Sequence, residues 1–596
     1  MSVRGRVLGR TAAAGLAVSI VTLLASSAYA AHQPLGALTQ LGGKAGCVTY
    51  NGASEDGANT CGKARAIAET DSAVLSPDGR SLYMGSYPYN GQSLSAGYAV
   101  FSRNRSSGTV KQLSGKAGCL TGDGSSEAGP NTCTKARGLQ DDAGDGVDVA
   151  ITSDGRWAYL TGNGFGGTPG ALMIFRRNTS TGALTQLAGT AGCITTDGSS
   201  QDGPGTCKTD PHLLQDSGLT FSSDDKFLYV TGTGDSEQIE VYSHNKKTGG
   251  LTDIECIAQA PAPSGCSTGR VVGDTQFIAL TPNGLHAYAG QYSVGMSVFD
   301  RNPKTGKLTQ KAGTAGCITN TGHDNTGAST CAIGRLTRGT FPLLVAPNGK
   351  TLYNGDGFNG FSTFHINSDG SLSQLPGTNG CMSMDGKDNT GASTCAVGRA
   401  IGSPYGGAIS ADGKSLYISD DDSVDAGGMA VFLLNPKSGV ATQLAGKAGC
   451  VTGDGSSGRG GVPGKCANGR AVGYGYGVSV SPDQRFVYQA TDAAGAGLAI
   501  YHRKAAPPVL SGLHVSGRTG HLLISFKLSV PDLVTITFSR GGHRLSGRLV
   551  ENGKVGANKF PFSGKVGGHV LGQGTYQATA TPVGGKPKKA KFTLKP

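Results

Sequence analysis

The chain has 596 residues, 37% hydrophobic and 15% charged, with 99 glycines and a formal net charge of +12. That apolar content is enough for packed domains and too high for a disordered chain, and no run after the N-terminus approaches the ~20 apolar residues of a spanning helix. The charge is uneven: residues 31–508 hold 36 Lys and Arg against 38 Asp and Glu, whereas residues 509–596 hold 13 against 2, so any polyanion-binding signature belongs to the C-terminal segment alone.

The first thirty residues join a basic start (Arg4, Arg6, Arg10) to an apolar run from Ala12 to Leu24 and the small-residue site Ala28-Tyr29-Ala30. This pattern predicts a secretory signal peptide over 1–30, cleaved after Ala30, and a secreted, extracellular protein with no transmembrane segment. The next segment, Ala37-Leu38-Thr39-Gln40-Leu41, reads as a strand with no partner beside it in the sequence.

Fourteen cysteines then fall into seven local pairs: Cys47/Cys61, Cys119/Cys133, Cys193/Cys207, Cys256/Cys266, Cys317/Cys331, Cys381/Cys395 and Cys450/Cys466. An exported chain with an even number of cysteines at repeated spacings reads as a disulfide framework, and none of the pairs has the Cys-x-x-Cys spacing that favours zinc or thiol exchange. Seven copies of one closed loop predict seven copies of one structural unit.

Between the loops the same apolar pattern returns, for example Val147 to Ile151, Trp157 to Leu160, Leu172 to Phe175 and Leu184 to Leu187. These are four short strands per repeat, rich in β-branched and aromatic residues and bounded by turn formers. The turn between the first two recurs seven times, as in Ser76-Pro77-Asp78-Gly79 and Thr281-Pro282-Asn283-Gly284. Meanders of four strands repeated seven times predict an all-β, seven-bladed β-propeller over 31–504, with every cysteine loop a connection from a fourth strand to the next first strand. Its last repeat has three strands and then runs into Pro507-Pro508, so the lone N-terminal strand is expected to complete that blade and leave no open edge.

In its Ser76-Pro77-Asp78-Gly79-Arg80-Ser81-Leu82-Tyr83 and Phe227-Leu228-Tyr229-Val230-Thr231-Gly232 segments the chain resembles the lactonase-type seven-bladed propellers, the carboxymuconate-cyclase-like and phosphogluconolactonase-like family with Tyr-Val-Thr-Asn repeats. The resemblance spans roughly residues 35–505 and implies a hydrolase or cyclase reaction at the channel mouth, with His, Glu and Arg as its groups. The repeat that breaks the pattern, Asp210-Pro211-His212-Leu213-Leu214-Gln215-Asp216, supplies the matching candidates. His212 would be the general base, with Asp216 beside it and Arg270 polarising a lactone carbonyl. Repeat decay leaving a surface histidine is the plainer reading, because no second catalytic group matches the family motif.

Three further patterns lie on the rim that carries the long connections, where variation on a rigid scaffold concentrates. Four residues past the second cysteine stands Arg65, Arg137, Arg270, Arg335, Arg399 or Arg470, a set suited to an anionic ligand or, as a repeated residue, to tying each loop to its neighbour. Phe341, Tyr405, Tyr474 and Tyr476 precede first strands and are placed to stack on sugars or to fill the channel top. Calcium is the one candidate ion, at Asp420, Asp422 and Asp425 or at the loop residues Asn51, Asp123, Asp197, Asp385 and Asp454, each followed by Gly; the loop residues equally suit Asx turns. No cofactor is required by this reading.

Past the linker Ala505-Ala506-Pro507-Pro508, residues 509–596 alternate polar and apolar without a cysteine and predict an immunoglobulin-like or fibronectin-like sandwich. Its excess positive charge suits an anionic polymer of the cell envelope, and too few aromatics argue against nucleic acid. The favoured reading is a secreted binding protein that presents stapled loops to a small molecule, glycan or protein. A lactonase-like enzyme and a structural envelope protein are the alternatives.

Overall fold

The computed structural model describes residues 33–67, 69–87, 97–139, 144–164, 170–213, 215–233, 238–421, 427–458, 461–492 and 497–594, so the predicted signal peptide lies outside the described residues. No helix among them is long and apolar enough to cross a membrane.

The structure is all-β. Residues 33–503 form seven sheets, named here by their first strands: sheet 1 (Glu69–Leu75), 2 (Gly144–Ile151), 3 (Gln215–Phe221), 4 (Thr275–Leu280), 5 (Leu343–Val345), 6 (Pro404–Ile409) and 7 (Gly475–Val480). In each, three antiparallel strands follow one another in chain order. First strands of consecutive sheets pack side by side, and that of sheet 7 packs on that of sheet 1. The core is divided accordingly into layers between sheets, such as Tyr83 and Val100 of sheet 1 against Leu160 and Phe175 of sheet 2.

The single fourth strand expected in each repeat is split in six of the seven. In sheet 2, Leu184–Gln186 pairs with one half of Ala171–Arg177, a 3-10 turn follows at Gly189–Gly192, and Cys193–Thr195 pairs with the other half. The cause is the run Gly-x-x-Gly before the first cysteine: Gly189, at φ +57, steps the chain sideways and returns it to the same edge. Sheet 3 is the exception. It carries Asp253-Ile254-Glu255-Cys256 where the others carry the glycine run, and its outer strand Leu251–Gln259 is continuous.

The seven disulfides join Cys47–Cys61, Cys119–Cys133, Cys193–Cys207, Cys256–Cys266, Cys317–Cys331, Cys381–Cys395 and Cys450–Cys466, as the spacing predicts, and no described cysteine is free. In the chain-entropy account each contributes about 3 kcal/mol. Their placement adds to the sequence reading, which makes each cysteine loop a connection from a fourth strand to the next first strand. Within that connection the loop leaves its sheet and comes back to it. In sheets 7, 1, 2 and 4 the first cysteines Cys47, Cys119, Cys193 and Cys317 lie within outer strands, while Cys61, Cys133, Cys207 and Cys331 immediately precede two-residue strands that add a parallel edge to the same sheet. The backbone N–H groups of those four second cysteines donate to the carbonyls of Gly52, Gly124, Gly198 and Gly322, which closes each loop on itself. Cys61, Cys133, Cys207 and Cys331 are buried, so the crosslinks brace the rim from beneath and are not part of its surface.

Both ends of the array meet in sheet 7, where Leu38–Gln40 and Cys47–Thr49 pair with Gly497–Arg503 as the unpartnered N-terminal strand requires.

A hydrogen bond repeated seven times joins each sheet to the next. The hydroxyls of Tyr83, Tyr159, Tyr229, Tyr288, Tyr353, Tyr417 and Tyr488 donate to the carbonyls of Gly182, Gly249, Gly306, Gly370, Gly439, Gly36 and Gly108. Those glycines turn the chain before each outer strand at positive φ, and a Cβ on Gly108 would stand 2.2 Å from the Phe486 ring. Buried arginines reinforce the same end: Arg503 of sheet 7 donates to Tyr417 Oη at 2.8 Å, Ser415 Oγ at 2.9 Å and Asp412 at 3.4 Å in sheet 6. Its charge is buried but hydrogen-bonded, which is the condition for tolerating it.

Beyond Arg503, Leu510–Arg518, His521–Leu528 and Gly556–Phe562 form one sheet, and Asp532–Arg540, Gly574–Pro582 and Lys588–Leu594 lie in another. The two share a core that includes Ile524, Phe526, Val534, Phe538 and Phe592.

Tyr417→Phe should destabilise the folded chain by about 1–3 kcal/mol in denaturant titration, because it strands the Gly36 carbonyl and the Arg503 Nε–H in the interior. Tyr292→Phe, at an exposed ring, should change stability by less than about 0.5 kcal/mol.

Candidate functional site

The Tyr–Gly bonds and short turns occupy one end of the sheets, and the cysteine loops with the second-to-third connections occupy the other. At the loop end the six arginines of the predicted rim make ties between repeats. Arg270 donates to the carbonyls of Thr330, Lys311 and Gly313, and Arg335 to those of Thr394, Leu375 and Gly377. Arg65, Arg137, Arg399 and Arg470 likewise bond carbonyls of the following loop. Their forks are spent on backbone rather than held toward an open anion site.

In the irregular repeat Pro211 stands where the others have arginine, and the next residue, His212, brings its Nε2 to the Ser264 carbonyl of the shortened loop at 3.0 Å. Arg270 reaches the loop of sheet 4 instead, so these two candidates serve different junctions. The Asp216 side chain lies outside the described residues, as do Asp422 and Asp425. Asp420 is buried, and its carboxylate accepts the backbone N–H groups of Gly402 and Ser403. In the loops, Asn51, Asp123, Asp197, Asp385 and Asp454 each accept the N–H two residues on, the Asx-turn geometry.

Three of the four predicted aromatics converge. Tyr476 meets Tyr405 at 4.7 Å between ring centroids, Tyr405 stacks on Phe341 at 4.8 Å, and Phe341 continues to Tyr292 at 5.2 Å and on to Phe358 at 6.2 Å. Tyr474 is half-buried and takes no part in these ring contacts. Tyr292 and Phe358 carry no repeat pattern, being single residues in second-to-third connections. They are the exposed end of the row, at 41% and 39%.

Phe358 opens onto a cleft of about 890 Å³ between the Cys381–Cys395 and Cys450–Cys466 loops, within the range of ligand pockets. Its apolar wall is Phe358, Met384, Val397 and Val462, and its polar wall is Asn359, Asp385, Arg399 and Lys465. The Arg338 guanidinium lies 4.3 Å from the Phe358 ring centroid. Asp385 is held below the usual carboxylate range by the Lys387 N–H, and burial lowers the pKa of Arg399.

At the other end of the row the surroundings are acidic. Burial, and then the charges of Asp71, Asp421, Asp274 and Asp492, raise the pKa of the Tyr405 and Tyr476 hydroxyls. Both rings therefore stay neutral as hydrogen-bonding groups. Beneath Phe341 lies Asp356, pushed up by burial to about 7 although its carboxylate accepts the Arg338 N–H at 2.8 Å.

No protein-family model matches the chain, and no curated protein sequence does. Similar solved structures include a proposed 6-phosphogluconolactonase from Bacteroides uniformis, 19% identical, covering 62% of this chain and 82% of that one at a TM-score of 0.38. The periplasmic gluconolactonase of Pseudomonas aeruginosa is 15% identical over 63% and 83% at 0.39. A β-propeller domain from Myceliophteria thermophila is 10% identical over 73% and 97% at 0.39.

The Asp356 shift carries a sign. A folded-state value near 7 against 3.8 unfolded means that the folded chain binds the extra proton, so its stabilisation is complete below about 3.8 and is lost as pH rises through 7. Thermal melts should show wild type losing stability across that window relative to Asp356→Asn, by at most about 1.4 kcal/mol per pH unit. Parallel curves would remove the buried-acid assignment.

Proposed function

We propose that the chain is an exported, non-catalytic seven-bladed β-propeller whose loop-bearing rim binds a neutral glycan, with a basic immunoglobulin-like sandwich that attaches it to anionic envelope polymer. The observation that carries the reading is the row of five rings running from the cleft at Phe358 to the carboxylate-lined mouth at Tyr476. The exposed faces of Tyr292 and Phe358 suit the apolar C–H faces of sugars, and carboxylates accept hydrogen bonds from their hydroxyls. The succession of meanders whose last member packs on the first supports the propeller. The leader pattern and the seven disulfides support export.

The stapled loops hold the rim rigid, so a bound chain of sugars need not order them. Acidic residues at the mouth disfavour an anionic substrate there, and the rim arginines are already committed to carbonyls. Those two facts weigh against the lactonase-like alternative. A catalytic carboxylate pair is not needed for this reading, since sugar recognition of this kind uses shape and stacking alone.

Calorimetry of the whole chain against a panel of neutral oligosaccharides should find at least one ligand whose affinity falls about 10-fold or more, at least about 1.4 kcal/mol, in both Phe358→Ala and Tyr292→Ala. Binding that survives both changes, or a panel with no ligand, would sink the glycan reading. Retention of the chain on anionic cell-wall polymer should separately fall as salt is raised.

A further inference from the structure

The irregular junction between sheets 2 and 3 does something the other six do not: it leaves an imidazole nitrogen facing carboxylates. His212 Nε2 meets a backbone carbonyl, which can only accept, so that nitrogen carries the proton. The neutral ring then presents a lone pair at Nδ1, and this atom is buried with no hydrogen-bond partner. Asp210 Oδ1 is 3.9 Å from it. The donor atoms of Asp210, His212 and Asp253 all lie within 4.8 Å of one another.

We infer that Asp210, His212 and Asp253 form a binding site for a divalent transition ion of the zinc class. One imidazole and two carboxylates are a borderline-soft donor set, and bonds of about 2.0–2.2 Å from a central ion would need only small closure of the observed spacings. Each ligand is already held from behind. Ser264 fixes the tautomer of His212, Tyr242 Oη donates to Asp210 Oδ2 at 2.7 Å, and the Glu255 N–H donates to Asp253 Oδ1 at 3.1 Å. Such supports orient metal ligands and raise their basicity. Gly265 sits against the ring, where a Cβ would come within 3.1 Å of His212 Cε1.

His212 also lies near Glu240 and the sulfurs of Cys256 and Cys266, but the two sulfurs are locked in a disulfide and offer no thiolate. That leaves the nitrogen and oxygen set. Asp253 is exposed, so the ion would keep one side open to water. The site lies in a different sector from the cleft at Phe358, and its test is independent of glycan binding.

The chelator-treated full chain, with its disulfides intact, should take up one equivalent of Zn2+ by calorimetry. Asp253→Asn keeps the bond from Glu255 and removes a charge, and should weaken uptake at least about 10-fold. His212→Ala removes the nitrogen donor of the set and should bind no Zn2+, with a thermal melt showing that the variant stays folded. Cobalt substitution should give d–d absorption without a thiolate charge-transfer band. No uptake by wild type, uptake unchanged in both variants, or a thiolate band would each overturn the assignment.

Discussion

A single hydrogen bond, from a buried tyrosine hydroxyl to the carbonyl of a left-handed glycine in the next sheet, is the contact on which the whole array rests. One small sheet is a weak unit alone, and each of the seven gains its stability by burying a face against a neighbour. Apolar packing supplies that burial without specifying a register. The tyrosine bond specifies it, because a hydroxyl left without an acceptor in the interior costs more than the bond itself contributes. It occurs at every junction, including the two that involve the N-terminal segment and sheet 7.

Rigidity at one end frees the other to vary. The cysteine loops look like the variable part, yet their arginines, Asx turns and disulfides make them nearly as repetitive as the strands. What differs between sectors is small: an exposed aromatic in one connection, a shortened loop in another. Both candidate sites sit where the repeat is imperfect, at Phe358 beside the longest cysteine loop and at His212 beside the shortest. On a symmetric frame, chemistry has to come from broken symmetry.

Much of this was legible in the residues, and the limits are physical. The cysteine pairing was readable because both partners are local, and the number of repeats and their first three strands because period and turn chemistry agree. The split outer strand was missed although its signal, the glycine run before six first cysteines, was in plain view. With it went the return of Cys61, Cys133, Cys207 and Cys331 to their own sheets, since a parallel edge of two residues leaves no periodicity to read. The arginine ties could be suspected from their recurrence, but their acceptors are backbone carbonyls that no side-chain pattern marks. Phe341, Tyr405 and Tyr476 were found through their shared position, whereas Tyr292 and Phe358 have none. The break at His212 was visible. That Asp210 and Asp253 face it was not, because Asp253 lies on an outer strand of the next sheet.

The joining of both chain ends in sheet 7 has a kinetic corollary. Leu38 is registered against Arg503, so a nascent polypeptide that has not yet released residues 497–503 lacks the partner of its own first strand. Pairing across so great a sequence distance is entropically late, which leaves the array open until its last sheet has emerged. Closure thus acts as a completeness check: a truncated copy keeps two raw β-edges, the kind of surface that quality-control proteases and aggregation both find first.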